Sequence, residues 1–171
     1  IAFYGDIDTI SMTLINELIE SSQIQEVQLL IDKPSQFHHV KLFEQVLNIS
    51  DIENINTLNN YDELIAYNVT EDEIKLLQKK AEYCQITYLK VVITNSKLLT
   101  TNQQAALAKT SKTSQLIFIN RYIFLGISSK TVQDYLKKLI SFALILFLHA
   151  KLKVFRPITP KRFAKLIISI S

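Results

Sequence analysis

A chain of 171 residues with 48% hydrophobic content is long enough for one ordinary domain with a core, or one domain with an appendage. Its single cysteine, Cys84, excludes an internal disulfide and suits a small core residue better than a reactive thiol. Charge is unevenly divided, because residues 1–90 carry 15 acidic and 6 basic side chains, whereas residues 91–171 carry 1 acidic and 13 basic. The second half therefore favours an anionic partner, either nucleic acid or an anionic membrane surface.

The first elements predict a strand, a helix and a second strand. Residues 1–4 read as a buried strand that ends at Gly5. Either Asp6 or Asp8 is expected to cap the helix that follows, in which apolar residues recur at four-residue spacing. Residues 27–31 form the next apolar, strand-like run, and an acidic residue follows it directly.

Strand, glycine turn, helix, strand and terminal acid is the order of a Rossmann nucleotide-binding domain. Asp32 is the terminal acid, 27 residues after Gly5. In that arrangement the helix N-terminus faces a pyrophosphate and the acid binds a ribose hydroxyl. The candidate cofactor-binding residues are therefore Gly5, Asp6 and Asp32.

The glycine pattern of this turn is degenerate. A dinucleotide fingerprint places glycines at its first, third and sixth positions, and the segment from Gly5 onward keeps only the first. Ile7 and Ile10 stand where the other glycines belong, and Asp6 and Asp8 add negative charge where a phosphate would lie. We therefore predict no cofactor, expect Gly5 to serve the tight turn, and keep NAD or nucleotide-sugar binding as an alternative.

The segment between the second strand and the middle of the chain gives weaker signals. His38 and His39 are adjacent and have no further Cys or His at ligand spacing, so we predict a solvated loop and no metal site. Residues 46–49 are the candidate for a third strand, and a helical turn is expected from Asp51 to about Leu58.

The stretch 61–93 predicts strand, helix and strand most clearly. Thr70 and Glu73 form a capping box, with Val69 and Ile74 as a hydrophobic staple. The inward face of the helix is predicted from apolar spacing, and its outward face comprises Lys75, Gln78, Lys79 and Glu82. A strand reached again through a crossover helix implies a parallel, right-handed unit. The fold class predicted is α/β, a Rossmann-like parallel sheet flanked by helices.

This order of elements, with DELIAYNVTEDEIKLLQKKAEYCQITYLKVV as its best segment, resembles a bacterial Rossmann-like (CoA-binding-like) domain over about residues 1–93. Such domains are similar to regions of polyprenyl-phosphate sugar phosphotransferases and of membrane-bound nucleotide-sugar dehydratases. The resemblance implies a role in bacterial surface polysaccharide synthesis, with nucleotide-sugar as a partner and a place at the cytoplasmic face of the inner membrane or in the cytoplasm.

The C-terminal part predicts a basic, apolar helical tail, so the chain divides into a domain at 1–127 and a tail at 128–171. The run 139–150 has no formal charge and, at ~18 Å as a helix, is too short to span a bilayer core of ~30 Å. It reads either as a buried helix of the domain or as a segment that lies on an anionic leaflet. In the second interpretation the membrane-contacting residues are Lys137, Lys138, Leu139, Phe142, Leu146, Phe147, Lys151, Lys153 and Arg156.

The tail also bears on catalysis and on nucleic acid. The sugar phosphotransferases that it resembles use an acidic pair beyond the membrane helix, whereas residues 135–171 contain no Asp or Glu, so we assign no catalytic residue. Its positive charges bracket apolar runs instead of lining a polar face, which argues against nucleic acid. The predicted function is a non-catalytic regulatory or positioning module; a nucleotide-sugar dehydratase-like domain and a structural interaction domain are the alternatives. The sequence does not indicate an oligomeric state.

Overall fold

A six-stranded parallel sheet forms the centre of the protein. The computed structural model describes residues 1–35, 37–47, 51, 57–94, 98–110, 115–120, 123–124 and 157–169. The strands of the sheet are β1 (Ala2–Gly5), β2 (Val27–Ile31), β3 (Leu42–Val46), β4 (Glu63–Tyr67), β5 (Tyr88–Ile93) and β6 (Gln115–Asn120). A separate parallel pair joins β7 (Ile123–Phe124) to β8 (Pro157–Ile158). The helices are α1 (Thr9–Glu20), α2 (Glu71–Tyr83), α3 (Thr101–Thr110) and α4 (Pro160–Ser169), and Thr57–Asn60 forms a 3-10 turn.

The strand order is β3-β2-β1-β4-β5-β6. All five neighbouring pairs in this sheet are parallel, so every carboxyl end lies at the same edge. The chain reverses its direction of travel across the sheet between β1 and β4, and this is the switch point at which Rossmann folds open a crevice. The predicted fold class, a Rossmann-like parallel sheet flanked by helices, is confirmed.

Each face of the sheet is covered by helices. On one face, α1 and α4 bury apolar side chains with the odd-numbered residues of β1 and β2, among them Phe3 and Leu29. On the other face, α2 and α3 pack against the alternate residues of the same strands, among them Tyr4 and Leu30. Both faces of the sheet are therefore buried. This explains why the central strands are continuous apolar runs in the sequence, without an alternation of apolar and polar residues.

The helix α4 belongs to the first of these two cores. Phe163, Ala164 and Ile167 are buried in the same cluster as Leu14 and Leu18 of α1. On the outer side, Lys161 forms an ion pair with Glu17 at 3.1 Å. The C-terminal basic segment thus contributes one amphipathic helix to the domain.

The predicted membrane-contacting residues lie outside the described residues, as does the boundary at 127/128. Both stay predictions. Among the helices that the structure describes, none has the length and apolar character needed to cross a bilayer.

The predicted elements that lie within the described residues match the structure with two corrections, whereas most of the helical turn predicted from Asp51 to about Leu58 lies outside those residues. The third strand, predicted at 46–49, is β3 at Leu42–Val46, where its residues pair in register with Val27–Ile31. Gln78, predicted to face solvent, is buried, and its side-chain amide donates to the Leu107 carbonyl of α3 at 3.3 Å. Neither error is visible in periodicity, because β3 is an edge strand with a mixed pattern and α3 covers more of α2 than an apolar stripe predicts.

An ion pair is buried within the sheet. Lys90 of β5 is fully buried, and its Nζ lies 2.6 Å from a carboxylate oxygen of Glu63 in β4. The same Nζ donates to the Ile167 carbonyl in the last turn of α4 at 2.9 Å. A cation at this point complements the negative end of the helix dipole, so one side chain joins two strands to α4.

Candidate functional site

The candidate site is the carboxyl edge of the sheet around the β1–β4 switch point. Four strands deliver polar residues there, directly after their last positions. Asp6 follows β1, Asp32 follows β2, Asn68 follows β4 and Thr94 follows β5. Since the carboxyl ends of parallel strands share one edge, the topology gathers these residues at the edge where open α/β folds place a ligand crevice.

Gly5 is the last residue of β1 and lies at the switch point, opposite Tyr67 of β4. Its φ of 133° is a conformation that residues with a side chain rarely adopt. A Cβ built on Gly5 would lie 2.2 Å from the backbone oxygen of Tyr67. Glycine at this position therefore lets β1 approach β4 closely as the chain turns towards α1.

Asp8 is the N-cap of α1. One of its carboxylate oxygens accepts hydrogen bonds from the backbone N–H groups of Ile10 at 2.8 Å and Ser11 at 2.9 Å. The Ser11 hydroxyl in turn accepts from the Asp8 N–H at 2.6 Å, which completes a reciprocal capping box. The helix terminus that would face an anionic ligand in a Rossmann site thus already binds a carboxylate of its own chain.

Tyr67, the last residue of β4, holds this carboxylate from the other side. Its buried ring stacks on Phe3, and its hydroxyl lies 2.8 and 3.0 Å from the two Asp8 oxygens. Burial raises the pKa of the Tyr67 hydroxyl, and the adjacent Asp8 carboxylate raises it further. The hydroxyl therefore stays protonated and acts as a donor, so Asp8 is held by three hydrogen bonds from two elements.

Asn68 and Thr94 join the ends of β4 and β5. Asn68 has a φ of 52°, in the left-handed region that asparagine tolerates. Its side-chain oxygen accepts from the Thr94 N–H at 2.8 Å, and its side-chain nitrogen donates to the Thr94 hydroxyl at 2.7 Å. The Thr94 hydroxyl also lies 3.4 Å from the Tyr67 hydroxyl, so the network continues to Asp8.

The rim of the crevice is acidic. Burial raises the pKa of Asp6, and the neighbouring carboxylates of Asp32, Glu73 and Asp8 raise it further. Lys33 opposes them, but its 3.8 Å contact with Asp32 joins two exposed side chains and is weak. Among the described residues, the charged groups at this edge are therefore mainly carboxylates, which repel anions.

The amino end of α2 is closed in the same way. Glu73 and Thr70 form the predicted capping box, in which the Thr70 N–H donates to the Glu73 carboxylate at 2.7 Å. The second Glu73 oxygen accepts from the hydroxyl of Tyr4, at the end of β1, at 3.0 Å. The Thr70 hydroxyl in turn accepts from the Glu73 N–H at 3.4 Å, so this terminus carries a reciprocal capping box.

The structure places the three predicted cofactor-binding residues at the carboxyl edge of the sheet, and their role in binding stays a prediction. Gly5 lies at the switch point, Asp6 on the rim, and Asp32 directly after β2, where its side chain is 62% exposed. The contact between Asp8 and Tyr67 was not predicted. A sequence signal for it exists, since a tyrosine that ends one central strand and an acid that follows the neighbouring strand must meet at the switch point.

Metal binding finds no support at this edge. Across the described ranges, no group of three or more His, Cys, Asp or Glu side chains is arranged to hold a metal ion. His38 and His39 are exposed in the segment before β3, as predicted. Cys84 is buried at the end of α2.

The comparisons with known proteins concern the fold. No family model matches the sequence, and no curated protein matches it. A solved Rossmann-fold NAD(P)-binding family protein from Shigella flexneri is similar in structure, with a TM-score of 0.67 and 15% identity over 99% of this chain and 84% of that chain. The PhqB reductase domain from Penicillium fellutanum is also similar, with a TM-score of 0.57 and 11% identity over 98% of this chain and 62% of that chain. At these identities the likeness establishes a shared Rossmann fold.

Proposed function

We propose that the protein is a Rossmann-type binding module that takes the nucleoside end of a nucleotide-class ligand at its carboxyl edge. The observation that carries this proposal is the switch point between β1 and β4, where Gly5 lets the two strands approach closely and Asp32 follows the neighbouring strand β2. An acid at the end of β2 is the group that binds ribose hydroxyls in this fold. The names of the two similar structures, one NAD(P)-binding and one a reductase domain, support a nucleotide-class ligand.

The module binds its ligand and does not catalyse a reaction on it. The polar side chains around the switch point are used to hold one another: Tyr67 donates to Asp8, and Asn68 pairs with Thr94. A catalytic acid or base needs an atom that is presented to the substrate within hydrogen-bonding reach. Among the described residues of this crevice, that arrangement is better suited to rigidity than to proton transfer.

Isothermal titration calorimetry and thermal shift with adenosine, NAD, NADP and UDP-glucose test the proposal, because binding to the native state raises stability by mass action. We expect at least one of them to bind the wild-type protein. Asp32→Asn should weaken that ligand about tenfold, since it removes a charge-assisted hydrogen bond to the ribose.

Asp62→Asn is the matched control. Asp62 is exposed and precedes β4, so it lies at the opposite edge of the sheet. The same change of charge there should leave affinity within about twofold. If no ligand in the panel binds, or if both substitutions weaken binding equally, the proposed site is wrong.

A second candidate function keeps the role in surface polysaccharide synthesis, as a module of a sugar transferase that contacts the membrane. It is favoured by the apolar run 139–150 with lysines before and after it. Co-sedimentation with vesicles of anionic or zwitterionic lipid separates the outcomes. Binding to anionic vesicles that falls as salt rises would support this candidate, and protein that stays in the supernatant with both vesicle types would refute it.

A further inference from the structure

We propose that Asp8 is a specificity-determining residue that makes the crevice select nucleosides without a 5′ phosphate. This inference rests on the proposed function and names its ligand class: a nucleoside whose 5′ substituent is neutral or positively charged. A dinucleotide such as NAD does not fit the residues present, because the place of its pyrophosphate is filled by the protein's own carboxylate.

The N–H groups that would bind a pyrophosphate already have an acceptor in this chain. A pyrophosphate in a Rossmann site is bound by the free N–H groups at the start of the first helix. In this chain the N–H groups of Ile10 and Ser11 donate to Asp8 at 2.8 and 2.9 Å. A phosphate oxygen could bind them only after the carboxylate had left, and no hydrogen bond would be gained by the exchange.

The Asp8 carboxylate is held in place by Tyr67. A cap on an exposed helix could rotate away, but the Tyr67 hydroxyl binds both Asp8 oxygens and comes from a fully buried residue. The ring of Tyr67 also stacks on Phe3, with centroids 6.1 Å apart. Displacing Asp8 would therefore take the charged acceptor from the Tyr67 hydroxyl and leave it only the 3.4 Å contact with the Thr94 hydroxyl, which is unfavourable in a buried position.

The negative charge of the neighbouring carboxylates also opposes a phosphate. The carboxylates of Asp32, Glu73 and Asp8 lie close enough to Asp6 to raise its pKa, so negative charge is concentrated at this rim. Ile7 and Ile10 stand at the places where glycines would let a phosphate reach the backbone, and both pack against the core. Sterics, occupancy and potential thus all oppose a 5′ phosphate, whereas a ribose bound at Asp32 needs only hydroxyl groups.

The experiment compares adenosine, 5′-amino-5′-deoxyadenosine, AMP and NAD by calorimetry at constant ionic strength. The amine carries a positive charge where AMP carries a negatively charged phosphate, so the pair reverses the sign of the charge at the 5′ position. For the wild-type protein we expect the amine to bind at least as tightly as adenosine, and AMP and NAD to bind about tenfold more weakly or worse.

Asp8→Asn is the informative variant, because asparagine caps helices as well as aspartate and the fold is retained. It should tighten AMP and NAD about tenfold, abolish the preference for the amine, and change adenosine by less than about threefold. Asp8→Ser, a neutral and shorter cap, provides the same comparison if Asp8→Asn does not fold. Asp62→Asn is the matched control: it makes the same change of charge at the opposite edge of the sheet, so it should change the AMP to adenosine ratio by less than about threefold.

The outcomes separate this inference from the proposed function. If the wild-type protein binds NAD or AMP more tightly than adenosine, the role of Asp8 is refuted while the binding site stands. If Asp8→Asn leaves the AMP to adenosine ratio unchanged, the role of Asp8 is refuted as well. If neither the wild-type protein nor any variant binds a nucleoside or nucleotide, the proposed function fails and this inference fails with it.

Discussion

The buried pair of Lys90 and Glu63 gives the sharpest prediction about stability. Lys90 is completely buried, and its Nζ contacts the Glu63 carboxylate at 2.6 Å and the Ile167 carbonyl at 2.9 Å. Lys90→Met keeps the length and most of the volume of the side chain but removes the charge. It leaves a carboxylate without its cation at a position where only 9% of the Glu63 side chain is exposed.

The expected cost of Lys90→Met is about 3–5 kcal/mol in the free energy of unfolding, the range for breaking one partner of a buried ion pair. A typical domain has only about 5–15 kcal/mol in total, so the variant should be close to unfolding. Glu63→Leu should cost a similar amount because it strands the ammonium. The double variant should lie within about 2 kcal/mol of the wild type, since an apolar pair of similar volume replaces the ions and only the Ile167 carbonyl loses a partner.

Urea denaturation followed by circular dichroism measures these free energies, with the slope of the transition as a check on two-state behaviour. Lys79→Met is the matched control, because Lys79 lies exposed on α2 and its loss should change stability by less than about 0.5 kcal/mol. The reasoning is refuted if both single variants cost less than about 1 kcal/mol, or if their costs simply add in the double variant.

Two further predictions concern the crevice. Gly5→Ala should destabilise the protein by at least about 2 kcal/mol, measured by urea denaturation, because its Cβ would meet the Tyr67 oxygen at a φ of 133°; an unchanged midpoint would contradict this. Asp6→Asn should stabilise the protein at pH 7 by up to about 1 kcal/mol, a small effect because the side chain is exposed. The pKa of Asp6 is raised in the folded state, so the difference in the free energy of unfolding between variant and wild type should shrink as pH falls through that pKa towards the ordinary value of 3.8. An equal difference at pH 7 and pH 4 would contradict this prediction.

The sequence specified those parts of the fold in which local and tertiary signals agree. β2 was predicted with its observed bounds, because burial on both faces leaves a continuous apolar run between a polar turn and an acid. The start of α2 was predicted from Thr70 and Glu73, because a capping box is a contact between residues three apart and needs no knowledge of the rest of the chain.

The errors occurred where neighbours distant in sequence decide the outcome. β3 pairs on one side only, and half of Phe43 and of Val46 is exposed, so its side chains carry no clear apolar period and the strand was placed too late. Lys90 was not predicted to be buried. Its partner Glu63 lies on the adjacent strand, where the register pairs Glu63 with Tyr88 and Lys90 with Ile65, and no periodicity predicts that register.

The same limit applies to the crevice, and it changes what the degenerate glycine pattern means. From the sequence, Asp8 was one of two acids that could cap α1, and Gly5 was expected only to permit the tight turn. In the folded chain the two residues act together: Gly5 lets β4 approach β1, which brings the Tyr67 hydroxyl within 2.8 Å of the Asp8 carboxylate. The turn between β1 and α1 is therefore held by hydrogen bonds within the chain. The Asp8 carboxylate lies at the N–H groups of Ile10 and Ser11, where a Rossmann site would bind a phosphate. If the protein binds a nucleoside as proposed, this carboxylate predicts a ligand whose 5′ substituent is neutral or positively charged.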